Sequence, residues 1–136
     1  MLSHNINLMM LLYAQCIPTF RMSFWSEGQT QKASTEQSKE YLSILEREIQ
    51  GKKYFGGDAI AFLDIAANYI ALWVGVLQEV AEVNLFNEHD HPILWKWSQE
   101  FLNSNAAKKC LPEREKLVAF FQDRKEIMKA SFNPKT

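Results

Sequence analysis

The stretch of residues 62–80 is the feature that most limits how this chain can fold. Its apolar side chains occupy nearly every face of a helix, and Asn68 and Gly75 interrupt the most apolar part, residues 65–77. A helix without a polar stripe is stable only when other elements surround it. The run 65–77 is also shorter than the roughly 18 residues that a membrane-spanning helix needs. We therefore predict a buried central helix around which the rest of the chain packs.

Prolines mark where other helices begin or bend. Pro18 lies inside the apolar segment 8–25, where it either kinks a helix or begins one. Pro92 begins a helix that extends to about residue 105, and Pro112 begins the last helix. No segment shows sustained strand alternation, and the 47% hydrophobic content is enough for a single core. The sequence therefore predicts an all-α fold, a bundle of about five helices.

The cleanest amphipathic helix is predicted for residues 26–50. Ser26 and Gln29 have the spacing of a capping box at its start, and Gly51 suits a left-handed residue at its end. Residues 52–58, with paired glycines, are predicted to form the loop that leads to the central helix.

Charge and cysteine content narrow the function. The net charge is -1, from 15 basic and 16 acidic residues mixed along the chain, so nucleic acid and anionic membranes are not expected as partners. Residues 6–14 are apolar but lack the basic start and the cleavage site of a secretory signal. Cys16 and Cys110 are far apart and belong to no CxxC or Cys/His pattern. We predict reduced thiols, a cytoplasmic location and no catalytic cysteine.

Two polar features of the sequence could form functional sites. His89 and His91, with acidic neighbours, have the composition of a metal site, but no third and fourth ligand at zinc spacing accompanies them, and we assign no metal. Asp64 stands in the first turn of the apolar central helix, where its carboxylate must find hydrogen-bond donors. We predict a structural capping role in which Asp64 accepts from the backbone amide of Ala61.

Arg124 interrupts the apolar face of the last helix and allows two interpretations. The commoner one is that its stem covers apolar surface while its guanidinium reaches solvent. The other is that it forms the single cationic rim group of a hydrophobic cleft, as in many small-molecule sites.

An ordered set of short motifs resembles the C-terminal domain of the plant tau class glutathione transferases. The resemblance spans residues 16–124, and no single motif in it is decisive. The motifs are Cys16-Ile17-Pro18, Phe24-Trp25-Ser26-Glu27-Gly28, Lys53-Tyr54-Phe55-Gly56-Gly57-Asp58, Asp64-Ile65-Ala66-Ala67-Asn68, Cys110-Leu111-Pro112 and Lys116-Leu117-Val118-Ala119-Phe120-Phe121.

The resemblance implies the helical half of a two-domain enzyme. In that family a thioredoxin-like domain binds glutathione, the co-substrate, and presents a serine to its thiolate, while the helical domain forms most of the hydrophobic substrate site. The matching substrate-binding positions are Trp73, Phe120 and Arg124, and no catalytic residue or cofactor is implied here. Ala61 stands where the family's capping motif usually has Ser, Thr or Gly. Residues 1–15 do not match and are predicted to form a divergent helical segment before the domain of residues 16–136.

Two hypotheses from different classes follow. In the first, the chain is the hydrophobic-substrate-binding domain of a glutathione transferase, lacks a glutathione site and is inactive alone. In the second, it is a non-enzymatic helical module that binds hydrophobic ligands or a partner protein. The partners implied are small hydrophobic molecules, together with a second copy of the chain or a thioredoxin-like domain.

Overall fold

A computed structural model describes residues 7–133 of the 136. Within this range the chain is all-α, as predicted, and its β-type pairing is limited to an isolated bridge between Tyr54 and Gly57. Residues 7–10 are helical, and residues 1–6 of the segment predicted as divergent lie outside the described part. The helices in chain order are α1 (Ile17–Trp25), α2 (Gly28–Ile49), α3 (Phe62–Ala66), α4 (Val74–Ala81), α5 (Pro92–Leu102), α6 (Asn105–Cys110), α7 (Arg114–Asp123) and α8 (Lys125–Phe132).

The central helix runs over Phe62–Ala81 and combines α3, the π-helical segment Tyr69–Trp73 and α4. With 20 residues it is longer than the apolar run on which the sequence prediction rested, and by length and composition alone it would fit a membrane. However, 61% of its most apolar window is buried inside the protein, as in the core helix of a soluble domain. The predicted buried central helix is therefore confirmed.

The other helices pack around this centre. Helix α1 lies along α2, α4 lies against α7, and α5 lies against the π-helical segment of the central helix. A second π-helical segment, Leu11–Cys16, leads into α1. The hydroxyl of Tyr13 in it donates to the carbonyl of Ala66 at 3.3 Å, and further along, Phe20 stacks on Tyr69 with ring centroids 6.4 Å apart. The continuous helical segment 7–25, which we call the first helix, and the central helix therefore run in the same direction, with their N-terminal ends together.

The boundary between α1 and α2 differs from the prediction. The hydroxyl of Ser26 donates back to the carbonyl of Met22 in α1. The N-cap position of α2 is occupied by Glu27, which makes no side-chain capping bond. The predicted capping box of Ser26 and Gln29 is therefore wrong, because α2 begins at Gly28 and its N-cap position is one residue later than predicted. Gly51 has the expected positive φ, 82°, after the end of α2.

The C-terminal region contains more helical pieces than predicted. Ser104 accepts a hydrogen bond from the amide of Ala107 at 3.2 Å and begins α6, which the sequence reading had not separated. The segment predicted as one helix from Pro112 begins at Arg114 and is divided at Arg124, which has φ -107° and ψ 7°. A backbone bond from Arg124 N to Phe121 O at 3.2 Å tightens this turn.

Helix α5 begins at Pro92, as predicted, and is joined to α2 by a carboxylate. Glu46 of α2 accepts hydrogen bonds from the amides of Ile93 at 3.1 Å and Leu94 at 2.6 Å. These amides are among the first of α5 and have no partner within the helix, so Glu46 caps α5 from a neighbouring helix and complements its dipole.

Candidate functional site

Asp64 is the most heavily bonded polar side chain of the core, and it is fully buried. Its Oδ2 accepts from the amide of Ala61 at 2.9 Å, which is the contact predicted from the sequence. Ala61 itself has no side-chain acceptor, so the reciprocal half of a capping box is missing. The contribution of this contact to the free energy of unfolding remains a prediction.

Three further donors converge on the same carboxylate from outside the helix. The amide of Phe55 donates to Oδ1 at 2.6 Å, the amide of Gly56 to Oδ2 at 3.1 Å, and the indole of Trp97 to Oδ1 at 2.9 Å. Asp64 thus joins the loop before the central helix to α5. Every donor is a backbone amide or an indole N–H, and the carboxylate is fully buried, so the geometry supports positioning of the helices rather than chemistry.

A glycine is required at position 56 because a side chain there would collide with neighbouring atoms, and its backbone amide also donates to Asp64. A Cβ atom built there would lie 2.5 Å from Cβ of Ala61 and 2.8 Å from the carbonyl oxygen of Ala59. Loop and helix start therefore approach too closely for a side chain at this position.

A mostly apolar cleft of about 270 Å³ opens where α1, the central helix and the C-terminal helices meet. For comparison, an apolar cavity of about 150 Å³ binds benzene. The space is thus sufficient for a molecule of about two rings. We call this the Trp73 cleft, and its lining residues are Arg21, Trp25, Tyr69, Trp73, Leu77, Phe121 and Met128.

Of the predicted substrate-binding residues, only Trp73 lines the cleft. Its indole meets the ring of Phe121 edge to face, with centroids 6.0 Å apart and an angle of 81°. Phe120 points away from the cleft and is 47% exposed. The expectation that Trp73 and Phe120 face one cleft does not match this geometry, because consecutive residues of a helix point about 100° apart and the rotation of α7 selects Phe121.

Arg124 also lies outside the cleft. Its guanidinium sits 3.7 Å from the ring centroid of Phe120 and 3.9 Å from the carboxylate of Asp123, on the exposed side of the turn between α7 and α8. The cationic group of the cleft is instead Arg21 of α1. Arg21 is not among the site residues predicted from the sequence, and the available signal was that it is the charged residue in the mostly apolar segment 8–25.

Tyr69 is the other lining residue with polar character. Its ring stacks on Phe20, and its hydroxyl is buried without a hydrogen-bond partner in the described residues. Burial raises the pKa of Tyr69 to about 12, while the positive charge of Arg21 acts in the opposite direction. The phenol is therefore neutral and remains a potential donor.

His89 and His91, the two candidate metal ligands of the sequence, lie in different environments. His89 is almost fully exposed and contacts Asp90 at 3.1 Å, whereas His91 is buried beside Phe86, with Nδ1 unpartnered in the described part of the chain. Burial lowers the pKa of His91 in spite of the nearby carboxylates of Glu46 and Asp90. Residues 7–133 contain no group of three or more His, Cys, Asp or Glu side chains arranged to hold a metal ion.

The cysteines have different environments. Cys16 is fully buried, and burial raises its pKa to about 12, so it is an inert thiol at neutral pH. Cys110 is an exposed free cysteine at the end of α6. The side-chain hydrogen bond described for a histidine in residues 7–133 is that of His89 to Asp90, which involves no serine or cysteine nucleophile.

The amino-acid sequence matches one family model and several curated proteins, and all of these matches concern the same protein family. Residues 8–105 match the family model described as "Glutathione S-transferase, C-terminal domain", and the match begins inside the segment predicted as divergent. A probable glutathione S-transferase of Glycine max is 42% identical over 108 residues, which are 79% of this chain and 48% of that protein. Glutathione S-transferase U8 of Arabidopsis thaliana is 36% identical over 112 residues, 82% of this chain and 47% of that protein.

Solved structures show the same fold. The tau class glutathione S-transferase of mango, Mangifera indica, superimposes with a TM-score of 0.78 at 30% identity, over 87% of this chain and 56% of that one. A rice glutathione S-transferase, solved in complex with glutathione, has a TM-score of 0.76 at 21% identity, over 92% of this chain and 55% of that one, which supports the fold alone. The chain spans about half the length of the curated relatives it matches.

Proposed function

The chain belongs to the glutathione S-transferase family, as a C-terminal domain of the plant tau type, and from that premise we propose that the Trp73 cleft binds flat hydrophobic molecules. In a complete enzyme these are the electrophiles to which glutathione is conjugated, in the detoxification chemistry of the plant cytoplasm. The observation that carries the proposal is the pair formed by Trp73 and Phe121, two aromatic walls of a cleft of about 270 Å³.

The contribution of this domain to the reaction is binding and orientation. The attacking group would be the thiolate of glutathione, held by a thioredoxin-like domain, and it would form a C–S bond to the electrophilic carbon of the co-substrate. In a substitution the leaving group departs with the electron pair of its bond to that carbon, and in an addition to an activated double bond the neighbouring carbon takes up a proton from solvent. Trp73 and Phe121 hold the co-substrate and exclude water from its apolar body. Because the co-substrate has already lost translational and rotational entropy on binding, less entropy is lost when the transition state forms. We assign no catalytic residue to this chain, and alone it would not conjugate glutathione.

Titration with a neutral aromatic probe tests this function. N-phenyl-1-naphthylamine is expected to quench tryptophan fluorescence saturably, with a Kd in the micromolar range, equivalent to about -8 kcal/mol. In the same preparation, conjugation of glutathione to 1-chloro-2,4-dinitrobenzene should not exceed the uncatalysed rate. Linear, unsaturable quenching would exclude the cleft as a binding site. Measurable turnover would show that catalytic groups lie within these helices.

A second candidate function, docking of a partner protein, rests on one exposed surface. Met10, Tyr13, Phe62 and Ile65 are all at least half exposed, and they lie at the paired N-terminal ends of the first helix and the central helix. We call these four residues the N-terminal patch. Clustered exposed apolar side chains are typical of interaction surfaces. We propose that a thioredoxin-like domain covers the N-terminal patch, and that a second copy of the chain does so when that domain is absent.

Self-association of the isolated chain tests the N-terminal patch. Sedimentation velocity is expected to show a reversible dimer at micromolar concentration, and the double variant Phe62→Ser/Ile65→Ser should shift the distribution to monomer. Ile127→Ser is the matched control, because Ile127 is 67% exposed, close to the 68% of Phe62, but lies on α8. Equal association of all three proteins would contradict the assignment.

A further inference from the structure

A separate pocket of about 420 Å³ lies between α5 and the loop that follows α2. Three lysines and one glutamate line it, so its formal net charge is +2, although the net charge of the whole chain is -1. We call it the lysine pocket, and its lining residues are Lys52, Lys53, Ile93, Lys96, Trp97 and Glu100. Positive charge gathered in a concave surface raises the local concentration of anions.

Two of the three lysines have no partner in the described part of the chain. Lys53 Nζ lies 3.4 Å from the carboxylate of Glu100 and 5.4 Å from the ring centroid of Tyr54. Lys52 and Lys96, by contrast, form no ion pair and no hydrogen bond within residues 7–133. The carboxylate that lines the pocket is therefore already engaged, and one free ammonium group remains on each side.

Contacts beneath the lysine pocket hold its two sides in place. The ring of Phe55, which follows the lysines in the loop, meets the indole of Trp97 edge to face, with centroids 5.2 Å apart. The amide of Phe55 and the indole N–H of Trp97 both donate to Oδ1 of Asp64, at 2.6 Å and 2.9 Å. The loop that carries Lys52 is thus fixed against the helix that carries Lys96, so little ordering of the backbone is required when a ligand enters.

The type of cation indicates the type of anion. A lysine ammonium group is a compact point charge that suits a tetrahedral phosphate, whereas a planar carboxylate pairs best with the fork of a guanidinium. Two free ammonium groups match a phosphomonoester, whose charge at neutral pH is about -1.5 to -2. The pocket volume exceeds the roughly 150 Å³ of a cavity that binds benzene, so an organic substituent also fits.

We propose that the lysine pocket binds small organic phosphomonoesters, with Lys52 and Lys96 on the phosphate and the organic part against Ile93 and Trp97. Glu100 opposes the charge of the ligand and limits its affinity. The lysine pocket and the Trp73 cleft share no lining residue, and their ligand classes differ. The inference therefore goes beyond the proposed function and does not depend on it.

Phenyl phosphate and phenyl sulfate are the probes that test this inference. Both present a tetrahedral anion on the same ring, but only the phosphate approaches a charge of about -2. In nuclear magnetic resonance titrations of the nitrogen-15-labelled chain at low ionic strength, phenyl phosphate is expected to bind with a Kd of about 1 mM, at least threefold more tightly than phenyl sulfate. The shifted signals should be the amides of residues 52–53 and 93–100 and the indole N–H of Trp97.

Substitutions of opposite expected effect separate charge recognition from structure. Lys52→Gln and Lys96→Gln should each weaken phenyl phosphate about threefold, and the double variant about tenfold. Lys116→Gln, which removes the same charge from an exposed position on α7, should leave the affinity within about 1.5-fold. Glu100→Gln should tighten binding about threefold, because it removes the opposing charge and frees Lys53. A disturbed structure would not improve binding.

Three results would overturn the inference. Equal affinity for the two probes would show that the pocket does not recognise the second charge of a phosphomonoester. Shifts at the indole of Trp73, without shifts at residues 52–53 and 93–100, would place the probe in the Trp73 cleft instead. Equal weakening by Lys96→Gln and Lys116→Gln would reduce the effect to the overall charge of the chain.

Discussion

Replacing Asp64 with alanine is expected to lower the free energy of unfolding by about 3 to 5 kcal/mol, the largest stability effect of a single substitution that we predict. The change leaves four donors without their acceptor: the amides of Phe55, Gly56 and Ala61 and the indole of Trp97. Each unsatisfied buried donor costs about 1 to 3 kcal/mol, and water entering the vacated space recovers part of the sum. Urea denaturation followed by circular dichroism measures the difference.

Two companion variants make the Asp64 result interpretable. Asp58→Ala removes the same side chain from an exposed position in the preceding loop, and it should change stability by less than about 0.5 kcal/mol. Asp64→Asn keeps one acceptor oxygen and should fall between Asp64→Ala and the parent, which preserves a measurable transition if the alanine variant does not fold. If Asp64→Ala and Asp58→Ala had equal midpoints, the carboxylate would not be the link between loop, central helix and α5.

Phe121→Ala is expected to weaken binding of N-phenyl-1-naphthylamine by tenfold or more, whereas Phe120→Ala should leave the affinity within about threefold. Phe121 forms the wall next to Trp73, and burying an aromatic side chain against a ligand contributes about 1.5 to 3 kcal/mol. Phe120 touches the ring of Phe121 at 5.2 Å between centroids but does not line the cleft. Its loss should therefore act only indirectly.

Phe120 and Phe121 form a matched pair, since both lie on α7. Substitution of either one by alanine removes the same atoms and changes helix propensity equally. Binding affinity, rather than the amplitude of fluorescence quenching, is the quantity to compare between the two variants. Trp25 and Trp73 both line the cleft, so the amplitude mixes the signals of two tryptophans. Isothermal titration calorimetry measures the affinity without a fluorescent reporter. Equal effects of the two alanine substitutions would place the ligand outside the Trp73 cleft.

The contacts of Asp64 illustrate how far a sequence can be read. The bond to Ala61 spans three residues, and helix geometry alone brings that amide within reach. The bond from Trp97 spans 33 residues, so it depends on α5 lying against the central helix. The start of α2 was misplaced by one residue, because Ser26 belongs to the end of α1, where its hydroxyl donates to Met22, and Glu27 occupies the N-cap position.

The sequence by itself determined the all-α class and the buried central helix, which follow from hydrophobic periodicity. Its ordered motifs resemble those of the family to which the chain belongs, and Trp73 was predicted as a substrate-binding position from that resemblance rather than from periodicity. Only the tertiary structure decided that Phe121 rather than Phe120 faces Trp73, and that Arg21 rather than Arg124 is the cation of the cleft. The physical reason is that helical periodicity defines the angles between side chains along one helix. The rotation and neighbours of each helix are decided by how the whole core packs.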